Sequence, residues 1–218
     1  MKIGCVGAGF IGRAVAKLAG QHGHQVMLSN SRSPKTLTST AISVRAGIGT
    51  VPDAVAFGDV VLLAIPFYAI AGLDPAPFAG KIVMDACNYY PGRDDPVPSL
   101  DDGSDTTSAI VQRHLPDAKV VKAWNAILER DIEKDALPAG ALDRRALPIA
   151  GDDAEAKAKV AALFDDLGYD VVDAGSLSEG WRFERARPAY CVPLDRPALK
   201  AKLAEAGSGR QAEGAWRG

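Results

Sequence analysis

The sequence predicts an α/β protein with a doubly wound, mostly parallel sheet. Three observations carry this. Short apolar runs alternate with segments of helical periodicity along most of the chain. The central runs, such as DVVLLAI over 59–65, are apolar without interruption, as expected of strands covered on both faces. The first run ends in a cluster of glycines and passes directly into a helical pattern.

Residues 2–6 (KIGCV) read as a buried strand ending at Gly7. The next segment, 10–23, repeats apolar residues at Ile11, Ala14, Val15, Leu18 and Ala19, which is helical spacing, and Gly23 is its expected stop. QVMLS (25–29) is the second strand. A helix is expected over 34–46, with Pro34 in its first turn. IGTV (48–51) reads as a short third strand, followed by strands at 59–65, 81–87, 118–124 and, more weakly, 145–151. Asp152 is expected to cap a helix running to Leu167, with Glu155 placed as in a capping box. The last strand is YDVVDAG (169–175). The organisation expected is one domain over 1–175 and a short C-terminal extension over 176–218, packed on it or on a dimer partner. The end, 207–218, reads as a mobile tail.

GAGFIG (7–12) is a GxGxxG motif, and its setting between strand and helix gives it weight. Gly7 permits a tight turn, Gly9 allows a pyrophosphate to approach the backbone, and Gly12 lets helix and strand pack closely. The N–H groups of the helix start, at Phe10 and Ile11, add donors and the positive end of the helix dipole. The fold is therefore Rossmann-like and binds a dinucleotide. Its choice of nucleotide is read after the second strand. An acidic residue there would accept bonds from the adenosine ribose and repel a 2′-phosphate, and none occurs before Asp53. Asn30, Ser31 and Arg32 stand there instead, with Lys35 nearby, and neutral donors beside a guanidinium suit a phosphate. NADP(H) is the expected cofactor. Further ligand contacts are expected from Ile65, Pro66, Asn88, Trp124 and Asn125, all just past predicted strands, where open α/β sheets bind ligands. The two asparagines suit a carboxamide or carbonyl, and Trp124 is expected to wall a flat ring.

The totals agree with this. A chain of 218 residues that is 47% apolar has material for a substantial core. The net charge of −2 argues against nucleic acid as a partner. Residues 1–52 hold six Lys or Arg and no Asp or Glu, a local positive region suited to a small anion. The three cysteines are widely spaced, so neither a disulfide framework nor a metal site is expected. No apolar run reaches a membrane-spanning length and no leader pattern opens the chain, so the expectation is a cytoplasmic protein without membrane contact.

No catalytic side chain is identified from the residues. His22 and His24 lie in a helix-to-strand connection, and His114 near a helix end. Tyr89, Tyr90 and Asp85 lie near the predicted crevice. Hydride transfer to an electron-poor ring needs mainly alignment, so a proton donor is not required.

The segments MKIGCVGAGFIGRAVAKLAGQHGHQVMLSNSR, VVLLAIPF, VMDACN, VVKAWNAI and AGDDAEAKAKVAALFDDLGYDVVDAGSL resemble, in that order, the NADPH-dependent coenzyme F420 reductases. They also resemble the cytosolic oxidoreductase domain of the six-transmembrane metalloreductases, which reduces a flavin. The likeness spans about residues 1–190. It implies a domain that holds NADPH and passes hydride to a deazaflavin such as F420, or to FMN or FAD, commonly as a homodimer. Carried over, Gly7, Gly9 and Gly12 match the pyrophosphate turn, and Ser31 and Arg32 the 2′-phosphate position. Asn88 matches an asparagine after the fifth strand, and Trp124-Asn125 a Phe-Asn pair beside the nicotinamide. The chain departs from the pattern at Tyr89-Tyr90-Pro91, where the family often has Pro-Leu, and in the Asp-rich loop that follows. These departures fall where the acceptor would lie. Two other readings stay open: reduction of a small carbonyl or imine with Tyr89 or Tyr90 as proton donor across a dimer interface, and a non-catalytic NADPH-sensing module. Related dehydrogenases that append a helical domain fit less well, because about 43 residues remain after 175.

Overall fold

A computed structural model describes residues 1–207. The tail expected over 207–218 falls, apart from Gly207, outside the described residues. The elements run β1 (Lys2–Val6), α1 (Phe10–Gln21), β2 (Gln25–Ser29), α2 (Thr38–Val44), β3 (Gly47–Ile48), α3 (Val51–Phe57), β4 (Val60–Leu63) and β5 (Ile82–Asp85). Then follow α4 (Pro91–Asp94), α5 (Pro98–Asp101), α6 (Thr107–His114), β6 (Lys119–Lys122), β7 (Ala146–Gly151), α7 (Ala154–Asp166), β8 (Asp170–Asp173) and α8 (Arg196–Glu205).

The strands form one eight-stranded sheet in the order β3-β2-β1-β4-β5-β6-β7-β8. All neighbours are parallel except β6 and β7, where Val121 pairs with Gly151 antiparallel. β1 lies between β2 and β4, so the chain changes direction across the sheet at this point. Strand alternation divides the core. Val60 and Leu62 join the cluster beneath α1 and α7, while Val61 and Leu63 join the cluster on the other face. In the C-terminal extension, Leu199 and Leu203 of α8 pack with Ala146 and Val172 in a third cluster.

Several expectations are corrected. The third strand is only Gly47–Ile48, and Val51 opens α3. Thr50 caps that helix in a capping box with Asp53, and Pro52 sits in its first turn. The helix expected over 34–46 is a 3-10 turn at Pro34–Leu37 followed by α2, which ends at Arg45 in a left-handed conformation (φ 55°). The cap of α7 is Asp153, whose side chain accepts from the Ala156 N–H at 2.7 Å; Asp152 instead accepts from the Leu177 N–H at 2.8 Å.

Trp124 is also corrected. It follows β6 with φ 63°, and this backbone turns its indole into the core. The ring stacks on Phe164 at 4.3 Å and meets the edge of Tyr169 at 5.6 Å, with 1% of the residue exposed. The ring packs the β6–α7 layer, while the residue also lines the cavity described below. Trp124→Ala is expected to cost about 3–5 kcal/mol of stability, the usual loss for a large buried aromatic, read as a lower urea midpoint with an unchanged slope.

Candidate functional site

The glycine turn follows its sequence logic atom by atom. Gly7 has φ +105°, and a Cβ there would lie 2.2 Å from the Ala64 carbonyl oxygen. A Cβ on Gly12 would lie 2.0 Å from the Gly7 carbonyl oxygen, so helix and turn touch only because Gly12 lacks a side chain. Gly9 is different. It caps α1 without any side-chain hydrogen bond, and a Cβ there would meet nothing within 4 Å. The helix start therefore faces an open cradle, with no acidic residue in its first turn. That is the arrangement an anionic pyrophosphate fits.

The loop after β2 lies beside this turn, because the Gly7 N–H donates to the Ser29 carbonyl at 3.1 Å. Asn30 shapes the loop. Its Oδ1 accepts from the Arg32 N–H at 2.9 Å and its Nδ2 donates to Thr36 Oγ1 at 3.0 Å. Its amide is thus committed within the loop, to the Arg32 backbone and the Thr36 hydroxyl, whereas Ser31, Arg32 and Lys35 are exposed. Among the described residues, neither Arg32 nor Lys35 is held in a salt bridge.

Seven of the expected contact residues line one cavity of about 320 Å³: Phe10, Ile11, Ile65, Pro66, Asn88, Trp124 and Asn125. It opens past the C-terminal ends of β1, β4, β5 and β6, on the edge where the sheet changes direction. Asn88 and Asn125 meet there. Asn88 Nδ2 donates to the Asn125 carbonyl at 3.0 Å, and Asn125 Nδ2 donates to the Phe183 carbonyl at 2.9 Å. The Phe183 carbonyl can only accept, which fixes the Asn125 amide nitrogen toward it. Asn125 Oδ1 is left buried without a partner. A buried orphan acceptor is costly unless something donates to it, and a carboxamide N–H₂ would do so.

The same cavity is lined by residues absent from the sequence expectations: Arg93, Glu129, Tyr190 and Cys191. Tyr90 Oη and Tyr190 Oη lie 2.7 Å apart. Tyr89, which the sequence placed beside Tyr90, serves the loop instead. Its hydroxyl accepts from the Val97 N–H at 2.9 Å and bonds Asp101 at 3.2 Å. Other loop aspartates also have structural work. Asp94 accepts from the N–H of Tyr90 at 2.8 Å and pairs with Arg93 at 2.7 Å. Burial opposes its ionisation, but bonds from Arg93, Tyr90 and Tyr68 hold its carboxyl below the usual range. Asp105 pairs with Arg113.

Behind the asparagines lies a buried ionic cluster that the sequence showed only as a lysine in an apolar strand. Lys122 Nζ donates to Thr107 Oγ1 at 2.7 Å, Ser108 Oγ at 3.2 Å and the Cys87 carbonyl at 3.4 Å. Asp85 and Glu184 stand 3.9 and 3.7 Å from it. The histidines lie away from the cavity, His24 against Asp166 and His114 against the Leu73 carbonyl. Burial pushes the thiols of Cys5 and Cys191 up, the latter to about 11, and raises that of Cys87 well above its ordinary value. None offers a thiolate near neutral pH. Among the described residues there is no cluster of three His, Cys, Asp or Glu placed to hold a metal, and no helix long and apolar enough to cross a membrane.

A family profile described as NADP oxidoreductase, coenzyme F420-dependent, matches residues 2–89. A solved structure assigned as an F420-dependent NADP reductase from Arthrobacter sp. FB24 is 26% identical, with a TM-score of 0.70, over 93% of this chain and 89% of that one. Residues 2–89 are thus similar to the coenzyme F420-dependent NADP oxidoreductases, and the whole chain is similar in fold to a reductase of that kind. A hypothetical protein of Sinorhizobium meliloti is also similar, at 30% identity and a TM-score of 0.77, over 89% of this chain and 94% of that one. The metalloreductase STEAP3 of Rattus norvegicus is 28% identical over 199 residues, which is 88% of this chain and 38% of the metalloreductase. The chain spans less than two thirds of the length of the curated relatives it matches, 59% and 38%.

The two glycines that differ in their surroundings separate binding from folding. Gly9→Val places its branches in the open cradle, so NADPH affinity should vanish while circular dichroism and the melting temperature stay near wild type. Gly12→Val drives a Cβ into the Gly7 carbonyl and should lose stability as well. Calorimetric titration beside thermal melting checks both; a Gly9→Val protein that binds NADPH normally would remove the cradle from the site.

Proposed function

We propose that this chain is an NADP-dependent oxidoreductase that passes hydride between NADP(H) and a flavin-type acceptor, a deazaflavin such as F420 or the flavins FMN and FAD. The observation that carries the reading is the convergence of seven cavity residues, two amides among them, at the mouth of the glycine turn. Gly7, Gly9, Phe10, Ile11 and Gly12 would receive the pyrophosphate on backbone N–H groups. Ser31, Arg32 and Lys35 would face the 2′-phosphate, with Asn30 holding their loop in shape. Asn125 Oδ1 would accept from the nicotinamide carboxamide, with Asn88 buttressing it. Ile65 and Pro66 would give the ring an apolar edge. NADPH, when bound, supplies the hydride; the chain holds its ring in register and keeps water from it. The acceptor would lie against the outer part of the cavity, between Phe10, Tyr90 and Leu128. The reading includes a homodimer in the cytoplasm, as the family resemblance implies.

Stopped-flow mixing of bound NADPH with F420, FMN and FAD tests the acceptor. Oxidation faster than the free reaction supports the reading, and the absence of oxidation by all three overturns it. Nucleotide choice is tested separately. Arg32→Ala removes a charge-assisted contact worth about 1.5–3 kcal/mol, so NADPH should bind about ten- to a hundredfold more weakly while NADH affinity is unchanged. Equal loss for both nucleotides in calorimetry would make Arg32 a residue of loop structure.

A further inference from the structure

We propose that this chain also reduces small aldehydes and ketones, with Tyr90 as proton donor and Tyr190 in support. The inference rests on reading the crevice as an NADPH site, and it concerns a second class of acceptor. Tyr90 and Tyr190 are separated by 100 residues in sequence, yet their hydroxyl oxygens lie 2.7 Å apart on the cavity lining. Neither hydroxyl is spent on the backbone, in contrast to that of Tyr89. The guanidinium groups of Arg93 and Arg185 lie 4.7 and 5.5 Å from the Tyr90 ring centroid. Arg93 is anchored by Asp94, so its position over the ring is fixed.

This arrangement places Tyr90 as a proton donor with a hydrogen-bonding partner behind it. Two cations stand over the ring, and Tyr190 can donate to the oxygen that has lost its proton. Tyr190 is suited to the second role, because burial raises its phenol well above the ordinary value and keeps it protonated. A proton donor of this kind matters most for a carbonyl. Hydride arrival at a carbonyl carbon makes an alkoxide, a base comparable to hydroxide, and a phenol, a much stronger acid than the alcohol formed, protonates it readily. A reduced flavin spreads its charge through the ring and needs no such donor.

The atoms balance without a further reagent. The nicotinamide loses hydride and is oxidised; the carbonyl carbon gains it, the C=O π bond breaks, and the oxygen takes the Tyr90 proton to give an alcohol. Tyr90 recovers its proton from solvent, with Tyr190 donating a hydrogen bond to its oxygen in the interval. The cavity sets the substrate class. Its apolar lining at Ile65, Pro66 and Leu128, and its volume of about 320 Å³ shared with the nicotinamide, suit a compact carbonyl compound with an apolar substituent.

The test compares wild type, Tyr90→Phe and Tyr190→Phe with a panel of small aldehydes and ketones and with FMN. Wild type should oxidise NADPH with members of the carbonyl panel. Tyr90→Phe should lower carbonyl kcat/KM by about a hundredfold, the common contribution of a general acid, and by at least about ten times more than it lowers FMN reduction. Tyr190→Phe should fall in between. A binding readout stands beside the rates. A small amide, which accepts a hydrogen bond as the carbonyl would, should bind the NADP⁺ complex about fivefold more weakly in Tyr90→Phe, with NADPH affinity retained. Wild type that reduces FMN or F420 but no carbonyl overturns this proposal and leaves the flavin reading standing. Carbonyl turnover that survives Tyr90→Phe, or falls only in parallel with FMN reduction, overturns the role of the tyrosines. Failure with every acceptor overturns both readings.

Discussion

The site depends on one buried ammonium group. Lys122 is fully enclosed, at the end of a four-residue strand, KVVK, whose two middle residues are buried valines. A lone charge in that position would be strongly destabilising, and removing one partner from a buried pair commonly costs about 3–5 kcal/mol. The chain meets this by bringing three separate pieces to the ammonium: Asp85 from β5, Thr107 and Ser108 from α6, and Glu184 from the segment after β8. The Glu184 carboxylate also accepts from the Thr107 N–H and hydroxyl, at 2.9 and 2.6 Å. The charge therefore pins the end of the 3-10 helix Leu177–Phe183 against the middle of the sheet.

Both asparagines follow from that anchor. The Cys87 carbonyl bonded to Lys122 immediately precedes Asn88. The Phe183 carbonyl that orients Asn125 immediately precedes Glu184. Holding Lys122 fixes the backbone on either side of the amide pair, so the orphan oxygen of Asn125 is presented by the packing behind it. Precise placement of a few polar groups on rigid supports is what hydride transfer requires, because misalignment costs rate even where binding survives.

The glycine turn was legible because its causes are local. Gly7, Gly9 and Gly12 act within one strand–turn–helix unit, and each glycine has a separate steric reason. The Arg32 loop follows from the next strand end. Failures arose where one signal could serve two elements. Val51 reads as the end of a strand, but the Thr50–Asp53 box and Pro52 make it the start of α3, and those cap residues were present to be read. Asp152 and Asp153 are equally good caps by type; only the tertiary bond from Asp152 to Leu177 separates them. Trp124 occupies the expected place in the chain, but a positive φ reverses the direction of its side chain. Sequence periodicity carries no information about such a turn.

The acceptor half was not legible because it is assembled over long distances. Tyr190 lies in a stretch with no strand or helix pattern, and nothing near it in sequence announces a partner a hundred residues away. The antiparallel β6–β7 pairing and the Lys122 anchor bring that stretch back over the cavity. Tyr90, in turn, occupies one of the positions where the chain departs from the pattern of the family it resembles. On the proposed function, donor and acceptor specificity are built by different means. Nucleotide choice would reside in a short segment that can be read and exchanged by itself. Acceptor choice would reside in contacts between α4, the strand ends and residues 181–191, so a change in any of these would retune the cavity without disturbing the glycine turn.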